Sequence, residues 1–164
     1  KLITIHPFSN EKGRRWEMER FIELAKSLNE VHKCQFLFVG AKNEISSIRA
    51  TVVSQIPRAI LYDDSVRKTL GIISESNLLI GVDSSFTHIS VALNVPTIVL
   101  QGRLSAKIYR DKNLYNNKKN IFVFYKELSC RDLLNTGCYS CSEMICQDHS
   151  VESVLEKALK ILNT

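Results

Sequence analysis

Residues 78–100 decide the fold: they read LLIGVDSSFTHISVALNVPTIVL. The aliphatic run Leu78–Ile80 predicts a strand that ends at Gly81. A helix is predicted from Ser84 to Leu93, and Pro96–Leu100 is typical of a second strand. A strand, a helix and a strand of these lengths favour a right-handed crossover between parallel strands.

The same alternation extends from this stretch to both ends of the chain. Further strands are predicted at Leu2–Ile5, Gln35–Val39, Ala59–Leu61 and Ile121–Phe124. Further helices are predicted at Trp16–Asn29, at Asn43–Ser54, around Val66, Leu70 and Ile73 after the capping run Asp63-Asp64-Ser65, and at Val151–Leu162 with Ser150 as its N-cap. Strands alternating with helices predict an α/β class, a Rossmann-like three-layer domain with a mainly parallel sheet over residues 1–164.

Composition excludes several classes of protein. The chain has 164 residues, 45% of them hydrophobic, and a formal net charge of +5. These values are ordinary for a globular domain and exclude a disordered tail, a collagen-like fibre and a coiled coil. Its apolar runs are too short to span a bilayer. Because the chain opens inside a strand at Lys1 without a methionine, we expect a fragment of a longer protein.

Missing motifs narrow the function further. The sequence has no GxGxxG after its first strand and no GxxxxGK[ST], so neither dinucleotide binding of the usual kind nor a P-loop is supported. Aromatic residues are not interleaved with lysines and arginines on one face, so we expect no nucleic-acid partner. A modest positive charge suits a phosphate-bearing ligand.

The loop after the first strand is one candidate for phosphate binding. Lys12, Arg14 and Arg15 stand with small polar residues and a glycine before a predicted helix. Guanidinium groups and helix N-terminal amides both favour anions. The alternative is a solvated basic loop.

The segment Gly81–His88 is the second candidate. It lies between an aliphatic strand and a helix, where ligands sit in parallel sheets. Asp83 and Ser84 are good helix caps, and the amides of Ser84, Ser85 and Phe86 are placed to bind phosphate oxygens. We expect Thr87 and His88 to point from the first turn toward the same anion. The alternatives are simple capping and a histidine of the core or the surface.

Four cysteines near the C-terminus, with His149 nearby, could hold a metal. The set is Cys130, Cys138, Cys141 and Cys146, and it contains one CxxC pair. A structural zinc ion is one interpretation. A disulfide pair and reduced thiols are the others, and without a secretion signal reduced thiols are favoured.

These segments resemble a known family. Residues 81–97 are similar to its pattern G-x-D-[ST]-G-x-x-H-x-A-A-A-L-x-x-P, and residues 3–7 with 14–16 resemble its strand and loop ending in K-[RH]-W-P. The family is that of the ADP-heptose:lipopolysaccharide heptosyltransferases, glycosyltransferase family nine, which are two-domain enzymes of the GT-B architecture. The resemblance is to the C-terminal half. Ser85 stands where the family has glycine, and Arg14 where it often has lysine.

The resemblance implies roles for particular residues. Asp83 would bind sugar hydroxyls, and Glu44 would bind the nucleoside ribose. The residues implied to face the diphosphate and heptose are Ser84, Ser85 and His88, with Thr87 supporting, and those implied to contact phosphate are Arg14 with Lys12 or Arg15.

The resemblance also implies a reaction and a place for it. Heptose, or a related sugar, would pass with inversion from ADP-heptose to a lipopolysaccharide core acceptor, and no metal cofactor would be required. The general base and the lipid-linked acceptor would belong to an N-terminal domain outside this chain. The expected location is cytoplasmic, peripheral at the inner face of the inner membrane. The alternatives are another nucleotide-sugar donor or a zinc-stabilised, non-catalytic binding module.

Overall fold

The computed structural model describes residues 1–102, 120–128 and 145–163. The strands are β1 (Leu2–His6), β2 (Gln35–Val39), β3 (Ile60–Tyr62), β4 (Leu78–Val82), β5 (Thr97–Leu100) and β6 (Ile121–Phe124). The helices are α1 (Met18–Val31), α2 (Lys42–Gln55), α3 (Val66–Ser74), α4 (Ser85–Ala92) and α5 (Val151–Leu162), and 3-10 turns lie at Lys12–Arg14 and Ile145–Gln147. None of these helices has the length and hydrophobicity needed to cross a membrane.

The six strands form one sheet in the order β3-β2-β1-β4-β5-β6, and every neighbouring pair is parallel. Ile5 of β1 lies opposite Phe38 of β2 on one side and Ile80 of β4 on the other. The strand order therefore reverses between β1 and β4. In open parallel sheets the crevice outside the carboxyl ends of the strands at such a point is the usual ligand position.

Helices cover both faces of the sheet, which confirms the predicted three-layer α/β domain. Successive strand residues point to opposite faces. On one face Ile5, Phe38 and Ile80 pack in a cluster with residues of α1, α2 and α5. On the other face Leu79 packs with Ile73 of α3 and with Val95, which follows α4.

Two boundaries near the cleft differ from the sequence prediction. β1 extends to His6 and β4 to Val82, because their backbones continue the ladder: His6 lies opposite Gly81 and Val82 opposite Leu100. α1 begins at Met18, because Trp16 is buried before the helix and its indole Nε1 donates to the His149 carbonyl at 3.0 Å.

Candidate functional site

A cleft of about 710 Å³ lies at the carboxyl edge of the sheet. The segments after β1, β2, β3 and β4 all contribute to its lining. Because the strand order reverses between β1 and β4, the segments that follow these two strands diverge and leave space between them. The cleft is therefore where the topology predicts a ligand.

Asp83 links the two candidate segments of the sequence. Its side chain is 6% exposed, with Oδ2 3.9 Å from Arg14 Nη1 and Oδ1 3.6 Å from His88 Nε2. A buried carboxylate needs nearby positive charge or donors, and the Arg14 guanidinium supplies a positive charge. Residues that are 69 positions apart in sequence, Arg14 and Asp83, thus share one wall of the cleft.

Two buried donors in this wall have no hydrogen-bond partner among the described residues. They are Arg14 Nε and the Ser84 hydroxyl. Leaving a buried donor unsatisfied costs free energy, so such groups in a cleft suit a ligand that brings acceptor oxygens. Since one of the donors is a guanidinium, an anionic acceptor is favoured.

Thr87 organises the start of α4 rather than facing the ligand. It is fully buried, its Oγ1 donates to the Ser84 carbonyl at 2.7 Å, and the same oxygen accepts from Ser84 N at 3.2 Å. In this structure Thr87 therefore does not face the cleft, and the Ser84 amide is bonded to the Thr87 hydroxyl. Ser85 is exposed and lines the cleft.

Glu44 lines the cleft from the β2 side, whereas Lys12 does not line it. The Glu44 carboxylate accepts from Ala41 N at 2.8 Å and so caps the first turn of α2. Lys12 is exposed, and its carbonyl accepts from Gln147 Nε2 at 2.8 Å. Of the three cations predicted to contact phosphate, Lys12, Arg14 and Arg15, only Arg14 lines the cleft.

His6, which opens the candidate segment His6–Trp16 and was assigned no role of its own, also lines the cleft. Its ring makes edge contacts with Phe8 and Phe86, and Nδ1 donates to the Val39 carbonyl at 2.9 Å. Burial lowers the pKa of His6 from the ordinary value of 6.5. The imidazole is therefore neutral at pH 7. Its position directly after the predicted strand was the signal that could have assigned it a role.

Asp63 and Asp64 also line the cleft, after β3. The sequence reasoning treated them as helix caps alone. Asp64 accepts from Ser65 N at 2.6 Å and from Lys68 Nζ at 2.9 Å, and these bonds lower the pKa of its carboxyl. The signal for this pair was again its place directly after a predicted strand.

The turn that carries Arg14 is held by the segment after β5. A Cβ on Gly102 would lie 2.8 Å from Arg14 Cα and would also overlap the Gly13 carbonyl oxygen. Real Cβ atoms do not approach backbone atoms so closely. Close packing of Gly102 therefore fixes the backbone on which Arg14 stands.

Three of the four candidate metal-binding cysteines, Cys130, Cys138 and Cys141, lie outside the described residues. Cys146 is buried in the turn before α5. In the described ranges no group of three histidine, cysteine or acidic residues is arranged to hold a metal ion. Zinc binding by these cysteines stays a prediction.

Comparison with known proteins agrees with this geometry. The family model described as glycosyltransferase family 9 (heptosyltransferase) matches residues 1–139. Among curated proteins, none matches. The solved structure of E. coli ADP-heptose lps heptosyltransferase II is similar with a TM-score of 0.77 at 19% identity, over 98% of this chain and 46% of that one.

Two further structures are similar in the same way. E. coli heptosyltransferase WaaC with ADP gives a TM-score of 0.71 at 15% identity, over 98% of this chain and 44% of that one. A family 9 glycosyl transferase from Veillonella parvula gives a TM-score of 0.73 at 20% identity, over 98% of this chain and 45% of that one. The chain thus spans less than half the length of these proteins. On its sequence match and its fold, this chain belongs to glycosyltransferase family 9, the heptosyltransferase family.

Proposed function

We propose that this chain is the donor-binding half of an inverting glycosyltransferase that moves a heptose, or a related sugar, from ADP-heptose to a lipopolysaccharide core acceptor. The observation that carries the proposal is the convergence of Arg14 and Ser84, each with an unsatisfied buried donor, in a cleft at the reversal of strand order. It is supported by family membership and by similarity to a heptosyltransferase whose structure contains ADP.

In this proposal the diphosphate lies between Arg14 and the first turn of α4. The guanidinium provides charge-assisted bonds, and the Ser84 hydroxyl and the helix N-terminus favour the same anion. Asp83, held between Arg14 and His88, accepts from sugar hydroxyls. Glu44 contacts the ribose, because it lines the cleft on the β2 side of this wall.

The reaction is a direct displacement at the anomeric carbon. An acceptor hydroxyl attacks, the bond to the diphosphate oxygen breaks, and the acceptor proton passes to a general base that we assign to a separate acceptor-binding domain. Negative charge grows on the leaving diphosphate, so the Arg14 guanidinium stabilises the transition state more than the bound donor. We propose that no metal cofactor is required for this stabilisation.

The acceptor step requires a second domain and a membrane surface in this proposal. The similar structures are more than twice as long as this chain, which supports assigning the acceptor and the base to residues outside it. A lipid-linked core acceptor would place the complete enzyme at the inner face of the inner membrane, in peripheral association.

Calorimetry with a turnover assay tests both parts of the proposal. We expect the chain to bind ADP-heptose, to bind UDP- and GDP-sugars more weakly, and to transfer no sugar by itself. A second sample with Arg14→Ala identifies the cleft as the binding site. Absence of binding to every nucleotide sugar contradicts the donor assignment, and sugar transfer by this chain alone contradicts the division into halves.

A further inference from the structure

The two ends of the cleft carry different functional groups, and Lys42 and Glu44 line it between them, after β2. Along the carboxyl edge the strands follow the order β4, β1, β2, β3, so Arg14 and Ser84 lie at one end and Asp63 at the other. Neighbouring strands are about 4.8 Å apart, which separates β4 from β3 by about 14 Å. Gly40 N donates to the Tyr62 carbonyl at 3.3 Å and holds the segment after β3 beside the segment after β2.

Asp63 differs from the other carboxylates in the cleft. The others have partners: Glu11 pairs with Arg14, Asp83 with Arg14 and His88, Asp64 with Ser65 and Lys68, and Glu44 with Ala41. Within residues 1–102, 120–128 and 145–163, the exposed Asp63 carboxylate accepts no hydrogen bond and forms no ion pair. Its acceptor oxygens are therefore available to a ligand.

An apolar side chain stands three residues after this carboxylate. Val66 is 59% exposed and lines the same end of the cleft. An exposed valine side chain at the start of α3 leaves apolar surface in contact with water, which is unfavourable. A flat heterocycle packed against Val66 would bury that surface and so stabilise the complex. An apolar surface together with an available acceptor suits an aromatic ring that carries a hydrogen-bond donor.

We propose that Asp63 is a specificity residue that accepts a hydrogen bond from the exocyclic amino group of the donor's base. This inference rests on the proposed nucleotide-sugar donor and extends it to the base. The Arg14 guanidinium attracts a diphosphate, whereas the Asp63 carboxylate, which has no cation paired with it among the described residues, repels one, so the phosphates bind at the Arg14 end and the base lies at the β3 end. An ionised carboxylate only accepts, so it favours an amino group over a carbonyl oxygen at that position, as in adenine over uracil.

The test compares ADP with purine riboside 5′-diphosphate, which lacks the amino group and is otherwise identical. Calorimetry on the unsubstituted chain is expected to give about tenfold tighter binding of ADP, as for a hydrogen bond to a charged group. In Asp63→Ala the two affinities become equal. Glu75→Ala removes a charge from the far end of α3 and keeps the tenfold ratio. Asp63 is exposed, and melting curves verify that both variants fold.

Each other outcome overturns the inference. A ratio near one in the unsubstituted chain, or a ratio that persists in Asp63→Ala, shows that Asp63 does not recognise the amino group. Equal strengthening of both ligands in Asp63→Ala shows that the carboxylate only repels phosphate. If neither ligand binds the unsubstituted chain, the proposed function fails as well, which separates the two failures.

Discussion

Arg14 and Lys12 belong to the same 3-10 turn, yet only the arginine lines the cleft. We predict that Arg14→Ala weakens ADP binding by about 1.5–3 kcal/mol, the range for a hydrogen bond to a charged group. Lys12→Ala is the matched control, and it should leave the affinity unchanged because the ammonium is outside the lining. Calorimetry at constant ionic strength measures both. Equal losses in the two variants would show that the turn acts through its overall charge alone.

Glu11 competes with a bound anion for Arg14. Its Oε1 lies 3.1 Å from Arg14 Nη2, and both side chains are partly exposed, so the pair contributes little to stability. We predict that Glu11→Gln strengthens ADP binding by about 0.5–1 kcal/mol, since the guanidinium then loses a competing carboxylate.

Glu17 offers the control for this prediction. Glu17 pairs with Arg20 at the same i, i+3 spacing, with Oε2 3.0 Å from Arg20 Nε, and it does not line the cleft. Glu17→Gln should leave ADP affinity unchanged. An increase of equal size in both variants would attribute the effect to net charge, not to release of Arg14.

Some side-chain positions in the cleft were predictable from the sequence, and others were not. The pairing of a basic loop with the Asp83 segment was predictable, because both follow strands of a parallel sheet. The burial of Thr87 was not, since the direction of its side chain depends on where the first turn of α4 begins. His6 was assigned no role of its own, and Asp63 was treated only as a helix cap, because their place in the lining depends on strand order, which the sequence pattern does not reveal.

Between elements, the close approach of the segment after β5 to the 3-10 turn depends on Gly102. We predict that Gly102→Ala shifts the Gly13–Arg14 backbone, lowers stability by about 1–3 kcal/mol as overpacking does, and weakens ADP binding. Urea unfolding and calorimetry measure the two effects.

Gly71 provides the control for the Gly102 substitution. A Cβ there meets nothing within 4 Å, and the residue lies inside α3, so Gly71→Ala should stabilise the protein by about 0.5–1 kcal/mol and leave ADP binding unchanged. If Gly102→Ala binds ADP as tightly as the unsubstituted chain, the segment after β5 does not position Arg14.

The elements themselves were largely predictable. Periodicity located all eleven strands and helices of the part of the chain that the structure describes, and Ser150 was correctly identified as the N-cap of α5, where its hydroxyl accepts from Ser153 N at 3.3 Å. The boundaries of β1 and β4 were less accurate, because hydrogen bonds to neighbouring strands extended them beyond the aliphatic runs.

For the whole molecule, the neutral His6 makes stability depend on pH. Burial lowers its pKa in the folded protein, whereas in the unfolded chain the ordinary value of 6.5 applies. Below about pH 6.5 the unfolded chain binds a proton that the folded protein does not, so the free energy of unfolding falls as pH decreases and rises with pH through this window. Urea unfolding at pH 5.5 and 7.5 measures the difference.

A variant assigns this dependence to the imidazole. His6→Gln removes the titrating group and keeps a donor for the Val39 carbonyl, so the difference between the two pH values should become smaller. An unchanged difference would assign the effect to other groups.

For the whole molecule, the α/β class was predictable from the alternation of strands and helices. The order of the six strands was not predictable, because no residue pattern shows that β4 pairs with the free edge of β1 and not with β3, the strand before it in the chain.

The buried indole of Trp16 gives the protein an internal optical probe. It is the one tryptophan of the sequence, it follows the turn of Arg14 by two residues, and it is hydrogen-bonded to the carbonyl just before α5. Its fluorescence emission should therefore shift to the red when α5 separates from the sheet. Titration with a ligand, followed at this wavelength, would report whether occupancy of the cleft tightens the attachment of the C-terminal helix.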